Sequence, residues 1–221
     1  VEEQIRMVCD AFWDELPASI ALPEPDAPTE LSGLFCGGRT SYEFDQKPVT
    51  ALTLSTLLAL AHGRHGFLED GRDDLDVRGT TGSAGGFYPL KLVISTQKTL
   101  SGPSPFCWTY IRSEHALARI DVDANSAKEL EAINKHFSVY GFHLLITIMM
   151  DLKWSELKYG NHAYRFAMLE AGAVMQNIRI VSRRLGLENC PIGIPLGNDF
   201  EAILPPNGNL LHALTIGLST S

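Results

Sequence analysis

The sequence has 221 residues, of which 45% are hydrophobic and 20% charged, and its formal net charge at pH 7 is −8. This length and composition are typical of one globular domain with a sizeable hydrophobic core. The acidic balance argues against a nucleic-acid-binding protein, which normally presents a basic face. The most apolar run, residues 142–150, is far shorter than the about 20 residues of a membrane-spanning helix, so we expect no membrane partner either.

The cysteines and histidines do not follow the spacing of a metal site. The four cysteines lie far apart, at positions 9, 36, 107 and 190, and no two of the seven histidines form an H-x-x-x-H pair. Because a structural zinc site needs several convergent ligands, we expect no metal ion. Such sparse cysteines also argue against a disulfide framework, and we therefore predict a cytoplasmic protein.

The N-terminal part differs in pattern from the rest of the chain. Residues 1–16 have apolar positions at helical spacing, and four prolines between positions 17 and 28 predict an extended connector. We therefore divide the chain into an N-terminal helix with a Pro-rich connector over residues 1–32 and a domain over residues 33–221.

The domain mixes predicted helices and strands. One helix begins near Thr53, its candidate N-cap, and ends at Gly63. The elements after it are a mobile loop over 64–82, strands over 90–96 and 107–112, a helix over 125–137, a strand over 142–150, helices over 154–158 and 163–185 with Gly186 as the C′ residue, and strands over 190–194 and 212–218. Since no strict β-α-β alternation is visible, we predict an α+β layered domain rather than a doubly wound parallel sheet.

The sequence lacks the common motifs for dinucleotides, nucleoside triphosphates and serine hydrolases. Three other segments can carry chemistry, and the first joins Gly37 and Gly38 to Arg39, Thr40 and Ser41. A glycine pair lets backbone N–H groups approach an anion, and an arginine fork matches phosphate oxygens. A plain turn with a solvated arginine is the alternative, and the spacing alone favours it.

The second segment runs from Ser83 through Ala84, Gly85 and Gly86 to Pro89. Two glycines directly before a strand indicate a backbone that lies close to something flat or bulky. A turn that only leads into the strand explains the same pattern equally well.

The third segment contains Lys158 and Tyr159, followed by a long helix with Glu170. A lysine beside a tyrosine can act as a proton-transfer pair where water is excluded. A buried Glu170 without a partner would be costly, so we expect it to be bonded. Small residues further along this helix, before Gln176, also fit a tight dimer or core contact.

Taken together and in this order, the three segments resemble the SagB-type dehydrogenases of the nitroreductase-like superfamily. The resemblance covers roughly residues 33–218 and rests on Arg39-x-Ser41-x-x-Phe44, Ser83-Ala84-Gly85-Gly86-x-Tyr88-Pro89, and Tyr164-Arg165-Phe166-Ala167-x-Leu169-Glu170-Ala171-Gly172 with Gln176-Asn177.

This resemblance implies an α+β homodimer with a mixed sheet flanked by helices and FMN at the subunit interface. The thiazole- and oxazole-forming members carry a Lys-Tyr pair just ahead of the long helix, where Lys158 and Tyr159 stand. The resemblance therefore implies oxidation of azoline rings to azoles in a peptide natural product, with Lys158 or Tyr159 as the base. The implied partners are a peptide or carrier-bound azoline and a cyclase or synthetase.

The resemblance also implies which residues contact FMN. The phosphate and ribityl chain would be held by Arg39, Thr40 and Ser41. The remaining implied contacts are Ser83, Ala84, Gly85 and Gly86 against the ring system, Glu170 and Gln176 on the long helix, and the backbone of Ile192 and Gly193 at the flavin N5 or O4 edge.

Two alternative functions remain open from the sequence. A nitro- or quinone reductase that uses NAD(P)H would need the flavin but not Lys158 and Tyr159. A non-catalytic relative that delivers peptide to a cyclase would keep the fold without the flavin.

Overall fold

Six strands form the central sheet of the described chain. They are β1 (Leu90–Thr96), β2 (Phe106–Ile111), β3 (Ala116–Arg119), β4 (Leu144–Asp151), β5 (Leu187–Ile192) and β6 (Leu210–Thr220). Their order in the sheet is β3-β2-β1-β4-β6-β5, and each strand is antiparallel to its neighbours.

Three helices lie wholly within the described residues: α1 (Ala51–His62), α2 (Lys153–Tyr159) and α3 (His162–Arg184). The combination confirms the α+β fold class. A 3₁₀ turn over Ala84–Gly86 leads into β1. Within the described ranges, no helix is both long and apolar enough to cross a membrane.

The computed structural model describes residues 33–35, 49–64, 78–96, 106–120, 142–192 and 210–220, and those from Leu34 onward belong to one compact unit. The N-terminal helix and Pro-rich connector predicted over residues 1–32, and the helix predicted over 125–137, lie outside the described residues.

The core lies between one face of the sheet and the two longer helices. Every second residue of β1 and β4 points into it, as for Ile94 and Ile146, which are also register partners. Helix α3 contributes a stripe at helical spacing. This apolar stripe consists of Ala167, Ala171, Val174 and Ile178, and α1 contributes Leu54, Leu57, Leu58 and Ala61.

The predicted central elements are confirmed. The strand predicted over 90–96 is β1, the strand over 142–150 is β4, and the helix over 163–185 is α3 shifted by one residue. Gly186 has a φ of +68°, as expected for the C′ residue of a helix.

Three sequence predictions need correction. The N-cap of α1 is Thr50 and not Thr53, because Thr50 has extended backbone and its Oγ1 accepts the Thr53 N–H at 3.1 Å. Strand β5 begins at Leu187 rather than at 190, since pairing with β6 starts with Leu187 opposite Thr220. The short strand β3 was not predicted. The loop predicted over 64–82 is described only at its ends, where Arg64 and Gly79 form an isolated bridge.

Candidate functional site

A glycine turn before β1 forms the first part of the site. Gly85 and Gly86 have φ values of +63° and +71°, in the left-handed region that favours glycine. Both residues are exposed. The hydroxyl of Ser83 accepts the backbone N–H of Tyr88 at 2.9 Å and so closes this turn.

The corner between α2 and α3 forms the second part. Tyr159 ends α2, and Gly160 with a φ of +52° turns the chain into α3. The Tyr159 ring is half-buried and packs edge-to-face on Phe166, with ring centroids 5.0 Å apart. The neighbouring Lys158 side chain extends over the Phe87 ring, with Nζ 5.7 Å from its centroid.

The two parts meet at Gly85. A Cβ on this residue would lie 2.6 Å from Tyr159 Oη and 3.2 Å from Lys158 Nζ. The polar ends of both side chains therefore converge on one point of the backbone, where only glycine leaves them room. This contact joins the second and third segments singled out in the sequence.

Glu170 lies beneath the turn on the buried face of α3. It is only 4% exposed, and its Oε1 has no hydrogen-bond partner among the described residues. Burial raises the pKa of this carboxyl to about 7, against the opposing effects of a hydrogen bond from Ser83 and the positive charge of Arg112. The sequence predicts that Glu170 is bonded, and Ser83 is the neighbour that favours its charged form, but Oε1 has no hydrogen-bond partner among the described residues.

Arg112 and Tyr88 support the turn from the sheet side. The Arg112 guanidinium carbon lies 3.6 Å from the centre of the Tyr88 ring, a cation–π contact. The Tyr88 hydroxyl accepts the backbone N–H of Gly79 at 2.6 Å, and Tyr88 itself has a φ of +47°. Arg112 was missed as a site residue, because it follows β2 and nothing in its local sequence relates it to Tyr88.

Asn177 connects α3 to α1 and to the loop before the turn. Its side-chain amide donates to Ala61 O at 3.2 Å and to Thr81 Oγ1 at 3.1 Å. The Thr81 hydroxyl donates in turn to Ala61 O at 3.0 Å. Asn177 thus connects α3, α1 and the segment before the turn, whereas the adjacent Gln176 is exposed.

The predicted site residues fall into three groups. The structure brings Ser83, Ala84 and Gly85 together with Lys158, Tyr159 and Glu170, and it leaves open space beside Gly86. Gln176 and Ile192 are described, but no described contact joins either of them to the turn. The proposed phosphate-binding residues Arg39, Thr40 and Ser41, together with Gly193, lie outside the described residues.

Metal ligands do not cluster in the described ranges. No group of three or more His, Cys, Asp or Glu side chains there could hold a metal ion. The side chains at the turn offer an amine from Lys158, a phenol from Tyr159 and the buried carboxyl of Glu170.

The fold and the site define an α+β domain in which a glycine turn at the start of a central strand meets a lysine–tyrosine pair. The profile described as "Nitroreductase family" matches residues 38–218. The chain belongs to the nitroreductase family, a family of oxidoreductases.

Three known proteins are similar to this chain. A Methanocaldococcus jannaschii protein, provisionally named nitroreductase MJ1384, is 27% identical over 188 residues, which cover 84% of this chain and 88% of the relative. The E. coli microcin synthetase McbBCD complex with truncated pro-MccB17 bound has a TM-score of 0.63 and 16% identity, covering 97% of this chain and 82% of that one. A Desulfovibrio desulfuricans protein, provisionally named a nitroreductase and solved in complex with FMN, has a TM-score of 0.53 and 14% identity, covering 87% of each chain. At these identities the two structural matches indicate a shared fold alone.

Proposed function

We propose that this protein is an FMN-dependent dehydrogenase that oxidises thiazoline or oxazoline rings to azoles in a peptide natural product. The observation that carries the proposal is the convergence of Lys158 Nζ and Tyr159 Oη at Gly85. A nitroreductase-family chain needs no such pair to reduce its flavin with NAD(P)H. An amine and a phenol that converge on one point fit a reaction in which one of them, in its deprotonated form, removes a proton from the substrate.

The described residues fit a flat cofactor. The backbone of Gly85 and Gly86 is exposed, and no atom lies within 4 Å of a Cβ placed on Gly86. Beneath the turn, Oε1 of Glu170 keeps an unused acceptor position. When bound, FMN supplies the acceptor for the hydride that leaves the substrate ring.

The remaining cofactor contacts are part of the same proposal. Arg39, Thr40 and Ser41 would bind the phosphate and ribityl chain, and Ser83 and Ala84 would flank the ring system. The proposed contacts of Gln176, Ile192 and Gly193 require a cofactor that extends beyond the turn, toward a partner subunit or the end of β5.

The side chains of the protein must then accept the proton that the azoline ring loses. In azoline oxidation one ring carbon loses a hydride and the adjacent ring atom loses a proton, so that a new ring double bond forms. Tyr159 Oη or Lys158 Nζ would accept that proton, while the other group stabilises the charge that develops. A positioned base of this kind contributes about 10²–10⁴-fold in rate.

The proposed assembly is a homodimer with FMN at the subunit interface, working with a cyclase or synthetase. Support comes from the likeness to the microcin synthetase complex, which holds a truncated pro-peptide. The substrate would be a peptide-borne or carrier-bound azoline. A cytoplasmic location remains a prediction from the cysteine pattern.

The test is azoline oxidation by the FMN-loaded protein and by its variants Lys158→Ala and Tyr159→Phe. We expect the wild type to remove two hydrogens from a thiazoline or oxazoline peptide, seen by mass analysis. At least one variant should lose about 10²–10⁴-fold in kcat while it keeps its flavin absorbance. Matched controls are Lys153→Ala and Tyr164→Phe, since both residues are exposed on α2 and α3 away from Gly85. Flavin-loaded variants with undiminished turnover would contradict the proposed role.

A second candidate, NAD(P)H-dependent reduction of nitro compounds or quinones, is favoured by the family match and by the provisional names of two relatives. It predicts rapid bleaching of the flavin by NAD(P)H in the wild type. The double variant Lys158→Ala/Tyr159→Phe should then bleach equally fast. A colourless protein that cannot be loaded with FMN would favour the non-catalytic alternative.

A further inference from the structure

The Tyr159 ring contacts two phenylalanine rings. Its centroid is 5.0 Å from that of Phe166 and 6.0 Å from that of Phe87, with interplanar angles of 76° and 88°. Both contacts are edge-to-face, the geometry that aromatic pairs prefer. The tyrosine therefore has two aromatic contacts that restrict its ring, while its hydroxyl lies beside Gly85.

The two phenylalanines come from different elements. Phe87 directly follows the glycine turn, and Phe166 stands one turn into α3, where the His162 ring lies 6.4 Å from it. Each is 37% exposed, so neither contributes a fully buried side chain to the main core.

We propose that Phe87 and Phe166 are positioning residues: together they form an aromatic clamp that fixes the Tyr159 hydroxyl at Gly85 for proton transfer. The inference rests on the proposed function, because it acts through Tyr159. The clamp joins the glycine turn to the α2–α3 corner, so it also fixes the phenol relative to the surface offered to the cofactor.

The clamp predicts a specific kinetic effect. A misplacement of about 1 Å at a reacting group can lower the rate by roughly 10²-fold. We expect Phe166→Leu to lower kcat by about 10- to 100-fold with little change in KM or in flavin absorbance. Phe166→Tyr keeps the ring and should retain most of the activity. Phe87→Leu is the second variant, and it should show the same separation of kcat from KM.

A double-variant cycle separates positioning from a general loss of structure. If Phe166 acts through Tyr159, then Phe166→Leu should have no further effect on kcat once Tyr159→Phe is present. The near-ultraviolet circular dichroism of the FMN-loaded protein provides a readout besides activity. The difference spectrum between wild type and Tyr159→Phe reports the fixed tyrosine ring, and it should shrink in the Phe166→Leu background. Tyr164→Leu, an exposed change in the first turn of α3, is the control and should leave both readouts unchanged.

The outcomes distinguish this inference from the proposed function. If Tyr159→Phe lowers kcat but Phe166→Leu and Phe87→Leu do not, the clamp is wrong and the proposed function stands. If Phe166→Leu lowers kcat equally with and without Tyr159, or removes the flavin, the clamp is also wrong. If neither Tyr159→Phe nor Lys158→Ala lowers kcat, the proposed base role of the pair fails and the clamp fails with it. If the FMN-loaded wild type oxidises no azoline, the proposed function fails, whatever the difference spectrum shows.

Discussion

The hydroxyl of Tyr159 touches the space that a side chain at Gly85 would occupy, since a Cβ there would lie 2.6 Å from Oη. Gly85 also has a φ of +63°, so two independent constraints select glycine at this position. The shape of the turn and the place of the phenol are therefore set by the same residue.

Gly85→Ala should damage the site more than Gly86→Ala does. Both changes put an L-residue at positive φ, which costs about 1–2 kcal/mol. Only the methyl group at position 85 would displace Tyr159 and Lys158, because the space beside Gly86 is open. Because the open space beside Gly86 is where the flavin is proposed to lie, Gly86→Ala should mainly weaken FMN binding. In the FMN-loaded protein, we expect a kcat about 10²-fold lower only for Gly85→Ala. Equal kcat values for the two variants would contradict this.

Glu170→Gln should change how stability depends on pH. The folded-state pKa of about 7 exceeds the ordinary value of 4.5, so the folded protein holds this proton more tightly than the unfolded chain does. The resulting stabilisation is complete below pH 4.5 and is lost as the pH rises through 7. Between pH 7 and pH 5 the wild type should therefore gain about 1–2 kcal/mol relative to Glu170→Gln. Denaturant unfolding at the two pH values measures this difference. If the free energy of unfolding changed equally with pH in the wild type and in Glu170→Gln, the prediction would be wrong.

His62 should change the stability of the protein with pH in the opposite direction over the same range. Burial, with a smaller contribution from the positive charge of Arg112, lowers the pKa of this imidazole to about 4, from the ordinary value of 6.5. The folded protein thus keeps His62 neutral, and the associated stability is present above pH 6.5 and is lost as the pH falls toward 4. Relative to His62→Gln, the wild type should lose about 2 kcal/mol between pH 7 and pH 5. The same unfolding series measures it, and a difference of the opposite sign would show that His62 is charged in the folded protein.

Thr50→Ala should destabilise the protein by about 1 kcal/mol, the usual loss for an N-cap. In the wild type, Thr50 Oγ1 accepts the N–H of Thr53, which otherwise has no partner within the helix. Thr56→Ala is the matched control, because the Thr56 hydroxyl only donates to Leu52 O on the same helix. Thermal or denaturant unfolding measures both variants, and equal stability of the two would contradict a stabilising cap at Thr50.

The central elements could be predicted because their patterns are local. Strand β4 is buried over seven successive residues, and α3 repeats its buried positions at helical spacing. The short strand β3 carries no such signal, since its residues alternate between half-buried and exposed. The segment is a strand because it pairs with β2, with Leu117 opposite Tyr110. A sequence of four residues does not predict such a pairing.

The site was predictable to the same degree. Lys158 and Tyr159 are neighbours in the sequence, so their pairing could be read directly. Phe166 was named only as part of the third motif and Arg112 only as part of a strand, because their contacts with Tyr159 and Tyr88 follow from the folded structure. Such contacts depend on strand register and on the angle of the α2–α3 corner, which follow from tertiary packing rather than from a local pattern.

Strand β6, the last of the described strands, occupies a place inside the sheet rather than at its edge. It separates β4 from β5 and pairs with both along most of its length. During synthesis, β4 and β5 therefore cannot form their pairing with β6 until residues 210–220 have been made. Until then each strand presents an unpaired edge to which other chains can bind. Pairings this distant in sequence slow folding, so the nascent protein would pass through an aggregation-prone stage that a chaperone or partner subunit could shorten.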